Sequence, residues 1–387
     1  MGSPHQASGL RRLTSLARLG LPGIGAGLLA LAAALATGNA LSASTTPRPS
    51  DAICIKRCAG RQRVAVGGMV RITGSRLDDV TEVDFPGSSG YLQSAPAVAR
   101  RHLVEVRVPE GTRTGRPRVA DSDGHGIGVP EILRIVPAGR LPAPGSFGLL
   151  GARVRPRRAF VDGERSVVLR YRFRARADVD VRVKLVRAGR VARRWIQRNR
   201  LPYVAHRLRW DGMRSAGHAA PRGRYRFKLT RPGHRAHSAH GFRLEDGKFP
   251  VRGPHGYGGP MQRFGAPRTG GRTHQGQDVF ASCGTPVVAA RGGRVQARGW
   301  DRELYGNWVV IDGRGTRRDY RYAHLRHPAS VHHGKRVRTG ERIGRVGKTG
   351  NARHVGCMLH FEVWPSGWPR GSPVDPLRML KRWDRRS

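Results

Sequence analysis

Three side chains in the last third of the chain have the types and spacing of metal ligands. His274 and Asp278 lie four residues apart, and His360 follows in a run that alternates as a β-strand does. Two imidazoles and one carboxylate can hold a zinc ion and leave its fourth position for water. Zinc lowers the pKa of that water towards ~7 and polarises a bound carbonyl group, so these residues predict a hydrolytic metal site.

Alternation along the last strand assigns the neighbours of His360 to two faces. Side chains two residues apart on a strand share a face, so Met358 points the same way as His360. Leu359 and Phe361 then point into the core. Glu362 is either a hydrogen-bond partner of a zinc-bound histidine or an exposed carboxylate, and both interpretations are open at this stage.

The order of these residues resembles that of the lysostaphin-type (LytM-type) zinc metallopeptidases, a family of peptidoglycan endopeptidases. The family signature is His-x-x-x-Asp, then Tyr-x-His-Leu, then His-x-His-Phe-Glu. The corresponding runs here are His274-Gln-Gly-Gln-Asp278, Tyr322-Ala-His-Leu325 and Met358-Leu-His-Phe-Glu362. The resemblance implies zinc as the cofactor, with His274, Asp278 and His360 as its ligands. It also implies that His324 is a catalytic histidine that stabilises the transition state or transfers protons.

One position departs from the signature. Family members carry histidine at the first position of His-x-His, where it assists the attacking water, and this chain carries Met358. A thioether cannot act as a general base, and zinc prefers imidazole, carboxylate or thiolate ligands. Three interpretations follow: hydrolysis with His324 and a substitute base, hydrolysis with another histidine such as His354, or a domain that binds zinc and peptide and cleaves very little. Because all three ligands are present, we predict a zinc metalloendopeptidase.

Residues 1–43 have the pattern of a secretory signal. Three arginines precede an apolar stretch, Ile24 to Ala36, which is too short for a membrane span of about 20 residues. We therefore predict export to the cell wall or the extracellular space, with the segment either cleaved or retained as an anchor.

The four cysteines are consistent with an exported chain. An even number of cysteines in such a chain predicts two disulfides. Nearness in sequence pairs Cys54 with Cys58 and leaves Cys283 for Cys357. A four-cysteine zinc site is the alternative, and it is disfavoured because only one close pair exists.

Short alternating runs separated by glycine and proline turns predict a mostly β protein of several domains. Residues 52–137 resemble an IPT/TIG immunoglobulin-like sandwich, and residues 150–245 resemble the Ig-like domain of hook-capping proteins, with a proline-rich linker at 138–149. By the family resemblance, residues 250–387 form an antiparallel β-sheet domain of the lysostaphin type, similar to a duplicated hybrid motif. The two Ig-like segments show no catalytic constellation.

The chain is strongly basic. Its 387 residues include 72 Arg and Lys against 26 Asp and Glu, for a formal net charge of +46, and 65 of the basic residues are arginine. Such a charge favours anionic partners, although the codon bias of a GC-rich genome accounts for it equally well. No zinc-finger, RRM or helix-turn-helix pattern is present, so nucleic acid is not predicted. The predicted partners are peptidoglycan and anionic cell-wall polymers.

Overall fold

The computed structural model describes residues 46–214 and 216–387. The predicted signal segment, residues 1–43, lies outside the described residues. Within the described part of the chain, no helix has the length and apolar character needed to cross a membrane.

The N-terminal part, up to residue 137, consists of two antiparallel sheets around one hydrophobic cluster. One sheet has the order β1-β2-β6-β5, with β9 parallel to β2, and the other has the order β4-β3-β7-β8. Val70, Ile72, Val83 and Phe85 lie in the shared core because alternate residues of each strand point inward. The strands are β1 (Arg48–Gly60), β2 (Arg63–Ser75), β3 (Val80–Pro86), β4 (Tyr91–Ser94), β5 (Pro96–Arg100), β6 (Leu103–Arg107), β7 (Arg118–Asp121), β8 (Gly126–Gly128) and β9 (Arg134–Ile135).

The middle part repeats the two-sheet arrangement around a second cluster. Its sheets have the orders β10-β12-β15 and β11-β18-β16-β13-β14, with β17 paired to β16. Trp210 and Tyr225 lie in this core with their ring centroids 5.3 Å apart. The strands are β10 (Gly148–Arg155), β11 (Arg158–Phe160), β12 (Val167–Arg174), β13 (Val179–Arg187), β14 (Arg190–Arg200), β15 (His206–Trp210), β16 (Gly223–Thr230), β17 (His237–Ser238) and β18 (Phe242–Glu245).

The C-terminal part contains a sheet of order β19-β20-β27-β24-β23-β22-β25 and a small sheet of β21 and β26. The helix α1 (Leu377–Asp384) contributes Leu380 and Trp383 to the core beneath the large sheet. The strands are β19 (His255–Tyr257), β20 (Gln277–Ala281), β21 (Pro286–Val288), β22 (Gly293–Asp301), β23 (Gly306–Gly313), β24 (Asp319–Leu325), β25 (Arg336–Val337), β26 (Arg342–Arg345) and β27 (Met358–Trp364). The 3₁₀ helices are Ala138–Arg140, Pro260–Gln262, Thr269–Gly271 and Gly350–His354.

The prediction of a mostly β chain with antiparallel sheets is confirmed by these strands. Both predicted disulfides, Cys54–Cys58 and Cys283–Cys357, are present. The second joins cysteines 74 residues apart in sequence, a separation for which the loop-entropy model gives about 4 kcal/mol of stabilisation. It also ties the segment after β20 to the start of β27. The domain boundaries and the IPT/TIG-like and hook-cap-like assignments stay predictions.

A buried carboxylate joins the middle and C-terminal parts. Asp162 has no exposed surface, and its Oδ1 accepts hydrogen bonds from Arg314 (2.9 Å), Arg336 (2.9 Å) and Arg338 (3.1 Å) of the C-terminal part. The Asp162 carbonyl also accepts a bond of 2.9 Å from the amide of Thr339. Charge-assisted bonds to a buried acceptor are among the stronger polar contacts, so this contact stabilises one arrangement of the two parts.

Candidate metal centre

The strand order of the large sheet brings the sequence-predicted site residues together. Asp278 on β20 lies directly opposite His360 on β27, and Ala323 on β24 lies opposite His360 on the other side. His324, the residue after Ala323, therefore reaches the same region. Residues that are 36 to 82 positions apart in sequence become neighbours because antiparallel pairing places them side by side.

His274 comes from the loop before β20 and is held by that loop's backbone. Its amide donates to the carbonyl of Ala266 (2.8 Å), and its carbonyl accepts from the amide of Gly265 (2.8 Å). Gly276 then passes so close to β27 that a Cβ atom there would lie 2.5 Å from the carbonyl oxygen of Phe361. Glycine is therefore required at this position for His274 and His360 to approach each other.

Three potential ligand atoms converge in this region. The distance from His360 Nδ1 to Asp278 Oδ1 is 2.8 Å, and the distance from His274 Nε2 to the same oxygen is 3.2 Å. The two ring nitrogens are 2.9 Å apart. All three residues are buried, and each offers one ligand atom to the same point. Ligands of a tetrahedral zinc ion with bonds of about 2.0–2.1 Å lie only slightly farther apart.

The remaining ring nitrogens show which atoms carry lone pairs. His274 Nδ1 lies 2.8 Å from the carbonyl of Arg263, and His360 Nε2 lies 3.0 Å from Glu362 Oε1. Both nitrogens face acceptors and must therefore donate their protons. When both imidazoles are neutral and bound in this way, His274 Nε2 and His360 Nδ1 carry lone pairs. These two lone pairs and those of Asp278 Oδ1 point towards one another. Such a triangle is stable only with a cation or a proton inside it, so the donor set fits a divalent metal.

The ionisation of these groups follows from the same contacts. Burial raises the pKa of Asp278, but the contacts of its carboxylate with the rings of His274 and His360 outweigh burial and hold that pKa well below its usual value. Burial lowers the pKa of His360, yet its bonds to Asp278 and Glu362 raise it to about 9. Without a metal, a proton therefore occupies the triangle at neutral pH. Metal binding displaces that proton, as it does wherever a ligand must be deprotonated.

Glu362 orients His360 from behind. It is fully buried, and its Oε2 accepts a hydrogen bond of 2.7 Å from the indole of Trp364. Arg321 lies 3.9 Å from the same oxygen, with its guanidinium carbon 3.4 Å from the ring centroid of Tyr305. Burial raises the pKa of Glu362, but the bond to His360 and the charge of that ring lower the pKa by more than burial raises it. The net pKa is below its usual value, so the carboxylate is charged. Of the two interpretations left open by the sequence, the structure supports the hydrogen-bond partner.

Replacing Glu362 with glutamine is expected to weaken zinc binding about 10–100-fold, the usual cost of losing an outer-shell partner of a metal-bound histidine. The glutamine amide can still accept a hydrogen bond from His360, but it lacks the negative charge of the carboxylate. The tautomer of the His360 ring is therefore less firmly fixed. Competition with a chromophoric chelator measures the zinc dissociation constant. The matched control is Glu341→Gln, which removes a carboxylate that is paired with Lys335 and does not line the cavity of the site. Equal zinc affinity in both variants would contradict this role.

His324 stands beside the three ligand candidates with a defined tautomer. Its Nδ1 lies 2.9 Å from the carbonyl of Thr349 and donates to it, which leaves Nε2 without a proton. Burial, followed by the charge of His360, lowers the pKa of His324 to about 4, so the ring is neutral. Its centroid is 5.8 Å from that of His360. His324 is thus a base whose free nitrogen is available to a bound molecule.

These side chains line a cavity of about 680 Å³. The cavity also contains Tyr305, which sequence reasoning missed, and its hydroxyl donates to Gln275 Oε1 at 3.1 Å. Burial and the nearby Glu362 raise the pKa of Tyr305 to about 12, so the hydroxyl stays protonated. The sequence feature that could have indicated this placement is the Tyr-Gly-Asn turn at the start of β23, where Gly306 has φ 60°. The turn presents Tyr305 next to the ligands, and this placement depends on how β22, β23 and β24 pair.

The structure also decides the positions of Met358, His354 and Tyr322. Met358 is buried and lines the cavity on the same strand face as His360, while Leu359 and Phe361 lie in the core. His354 is exposed at the end of a 3₁₀ helix and is not among the described residues that line the cavity, so it does not take the missing position. Tyr322 is fully buried, and its hydroxyl accepts a bond from the amide of Ala290, so it packs in the core and does not line the cleft.

Residues 272–376 match the model of Peptidase family M23, so the C-terminal region carries an M23 peptidase domain. A lipoprotein NlpD/LppB homolog of Pseudomonas aeruginosa is 37% identical over 112 residues, which are 29% of this chain and 35% of that protein. The peptidoglycan DD-endopeptidase ShyC of Vibrio cholerae is 37% identical over 96 residues, which are 25% of this chain and 21% of that protein.

Among solved structures, the catalytic domain of lysostaphin from Staphylococcus simulans is 30% identical. The alignment covers 33% of this chain and 92% of that domain, with a TM-score of 0.29. The chain spans less than half the length of these curated relatives, 35% for the first and 21% for the second. Of the two curated relatives, ShyC is the one whose name states an endopeptidase activity on peptidoglycan.

Proposed function

We propose that this protein is an exported zinc endopeptidase that hydrolyses peptide bonds in peptidoglycan. The observation that carries the proposal is the convergence of His274, Asp278 and His360 as three lone-pair donors beside His324, within an M23 peptidase domain. An M23 relative named as a peptidoglycan endopeptidase supports the substrate class. The predicted signal segment, residues 1–43, supports a location outside the membrane.

The residues of the cavity have separate roles in this proposal. His274, Asp278 and His360 would hold zinc, which supplies an activated water and polarises the scissile carbonyl group when it is bound. His324 accepts a proton at Nε2, the nitrogen that its bond to Thr349 leaves free. Tyr305 keeps its hydroxyl proton and can turn it from Gln275 to the carbonyl oxygen of the substrate. Met358 contributes only apolar surface.

Purified full-length protein is expected to release dye from labelled peptidoglycan, and a chelator is expected to stop the release. Zinc added back in stoichiometric amount should restore it, because the donor set fits one divalent ion per chain. Walls of several cross-link types should be tested, since the sequence does not specify the peptide bond. Chelator-resistant release, or no release from any wall type, would contradict the proposal.

A second candidate function is favoured by Met358. In this alternative the C-terminal domain binds zinc and peptide, cleaves very little, and acts as a wall-binding or regulatory module. The observation behind it is that a thioether lines the cavity where family members carry an assisting histidine. Retention on peptidoglycan without release of fragments would support this alternative over hydrolysis.

We further propose that residues 52–137 and 150–245 are Ig-like modules that space or retain the peptidase domain at the wall. Each segment has two sheets around one hydrophobic cluster, and neither contributes to the described cavity of the metal centre. The assignment rests on the sandwich arrangement and on sequence pattern, which do not by themselves define a function.

A further inference from the structure

One face of the middle part presents arginines side by side across three strands. Arg153 on β10 pairs with Arg170 on β12, and Arg170 pairs with Arg207 on β15. Directly paired residues point to the same face, so these three form a row across the sheet. Four more arginines of the same strands share this face. Together they form the arginine face: Arg153, Arg155, Arg170, Arg172, Arg174, Arg207 and Arg209.

The seven residues of the arginine face are all exposed. None of them belongs to an ion pair in the described part of the chain, whereas arginines elsewhere, such as Arg243 with Glu245, do. Like charges directly opposite each other destabilise a sheet. The opposite sheet has one comparable row, Lys184, Arg194 and Lys228, so the arginine face is distinguished by the four further arginines that surround its row.

The distribution of charge along the chain argues against codon bias as the sole cause. Residues 150–245 contain 27 Arg and Lys against 6 Asp and Glu, whereas residues 46–149 contain 15 against 10. Both segments are two-sheet β structures encoded by the same gene, so a codon bias would act on them alike. The excess in the middle part points to a selected, charge-dependent role.

The geometry of the face indicates the chemistry of its partner. Neighbouring strands lie about 4.8 Å apart, and alternate residues along a strand lie about 6.8 Å apart, so the charges form a regular lattice. A flexible linear polyanion with closely spaced oxyanions can follow such a lattice, and guanidinium groups bind phosphate and carboxylate in a bidentate manner. The face has no aromatic side chain on which the bases of a single-stranded nucleic acid could stack.

We propose that the arginine face binds a linear polyanion of the cell wall, one with repeating phosphate or carboxylate groups along its backbone. That the polyanion belongs to the cell wall rests on the proposed function, whereas the specificity for a polyanion rests on the arginine face alone. Binding there would hold the peptidase domain near its substrate, because Asp162 joins the middle part to the C-terminal part.

The test compares two triple variants of the full chain with equal loss of charge. One variant changes the arginine row (Arg153→Gln, Arg170→Gln, Arg207→Gln). The control changes the matching cross-strand row on the opposite sheet (Lys184→Gln, Arg194→Gln, Lys228→Gln), whose residues are also exposed and directly paired. Binding is measured by sedimentation with purified walls in a chelator, so that hydrolysis plays no part. Polyphosphate and polygalacturonate serve as soluble probes that separate phosphate from carboxylate binding.

The arginine-row variant is expected to bind at least 10-fold more weakly than the parent protein, and the control variant to bind within about twofold of it. Log affinity falls as log salt rises, and the loss of three contacts should make this slope about 2 less steep. Walls stripped of their anionic polymers should retain little of the parent protein and little of the control variant. Equal losses in the two variants would overturn the proposal, as would full retention on stripped walls. Tighter binding to duplex DNA or to phosphatidylglycerol vesicles than to both polyanion probes would overturn it in favour of those partners.

Discussion

Alanine in place of His360 is expected to abolish zinc binding and peptidoglycan hydrolysis together. His360 carries one of the three proposed ligand atoms, and its loss leaves Asp278 and Glu362 as buried carboxylates without their shared partner. The loss of zinc affinity should exceed the 10–100-fold effect expected for Glu362→Gln, because a ligand itself is removed. Zinc content by atomic absorption and dye release from labelled peptidoglycan measure the two effects on the same sample.

Two controls make this result interpretable. His332→Ala removes an exposed histidine that is not part of the site and is expected to leave zinc content and hydrolysis unchanged. Asp278→Asn removes a ligand charge with almost no change in shape, and circular dichroism should show a folded chain. A His360→Ala or Asp278→Asn protein that keeps one zinc per chain and chelator-sensitive hydrolysis would refute the assignment of these ligands.

Histidine in place of Met358 is expected to raise the rate of peptidoglycan hydrolysis about 10²–10⁴-fold, the usual contribution of a general base. Met358 lines the cavity from the same strand face as His360, so an imidazole at this position would face the bound peptide and its water. Zinc affinity should change little, because the three proposed ligands are untouched. The rate is measured at saturating zinc with the parent protein alongside.

Met261→His is the matched control for this experiment. Met261 lines the same cavity but lies on a different wall, and half of its surface is exposed. The Met261→His variant introduces the same imidazole without placing it beside His360, so its rate of hydrolysis should match that of the parent protein. An unchanged rate for Met358→His would refute the idea that a missing base limits hydrolysis, and would mean that His324 already supplies it. A rise only in Met358→His, from a parent without detectable activity, would favour the wall-binding alternative.

The candidate ligands were accessible from sequence because their chemistry is local. The His-x-x-x-Asp spacing places two ligand types within reach of one ion, and strand alternation places Met358 and His360 on one face. The mostly β character and both disulfides were likewise predicted, because alternating runs, turn residues and an even number of cysteines are features of the linear chain.

Other features depended on contacts between distant segments. Tyr305 reaches the cavity only because β23 pairs with β24, and Arg321 reaches Glu362 only because β24 pairs with β27. Exposure of His354 also followed from packing, which removed an interpretation that the sequence had left open. A single sequence does not specify strand order, since many pairings satisfy the same alternation.

By itself the sequence determined the donor types, their spacing, the departure at Met358 and the excess of arginine. Only the tertiary structure decided that the unprotonated nitrogens of His274 and His360 face Asp278, because the hydrogen bonds that set each tautomer come from Arg263 and Glu362 on other segments. Only strand pairing decided that Arg153, Arg170 and Arg207 form one row, because charges far apart in the chain become neighbours across a sheet. Composition counts charges, whereas the fold sets the distances between them, and electrostatic interaction depends on distance.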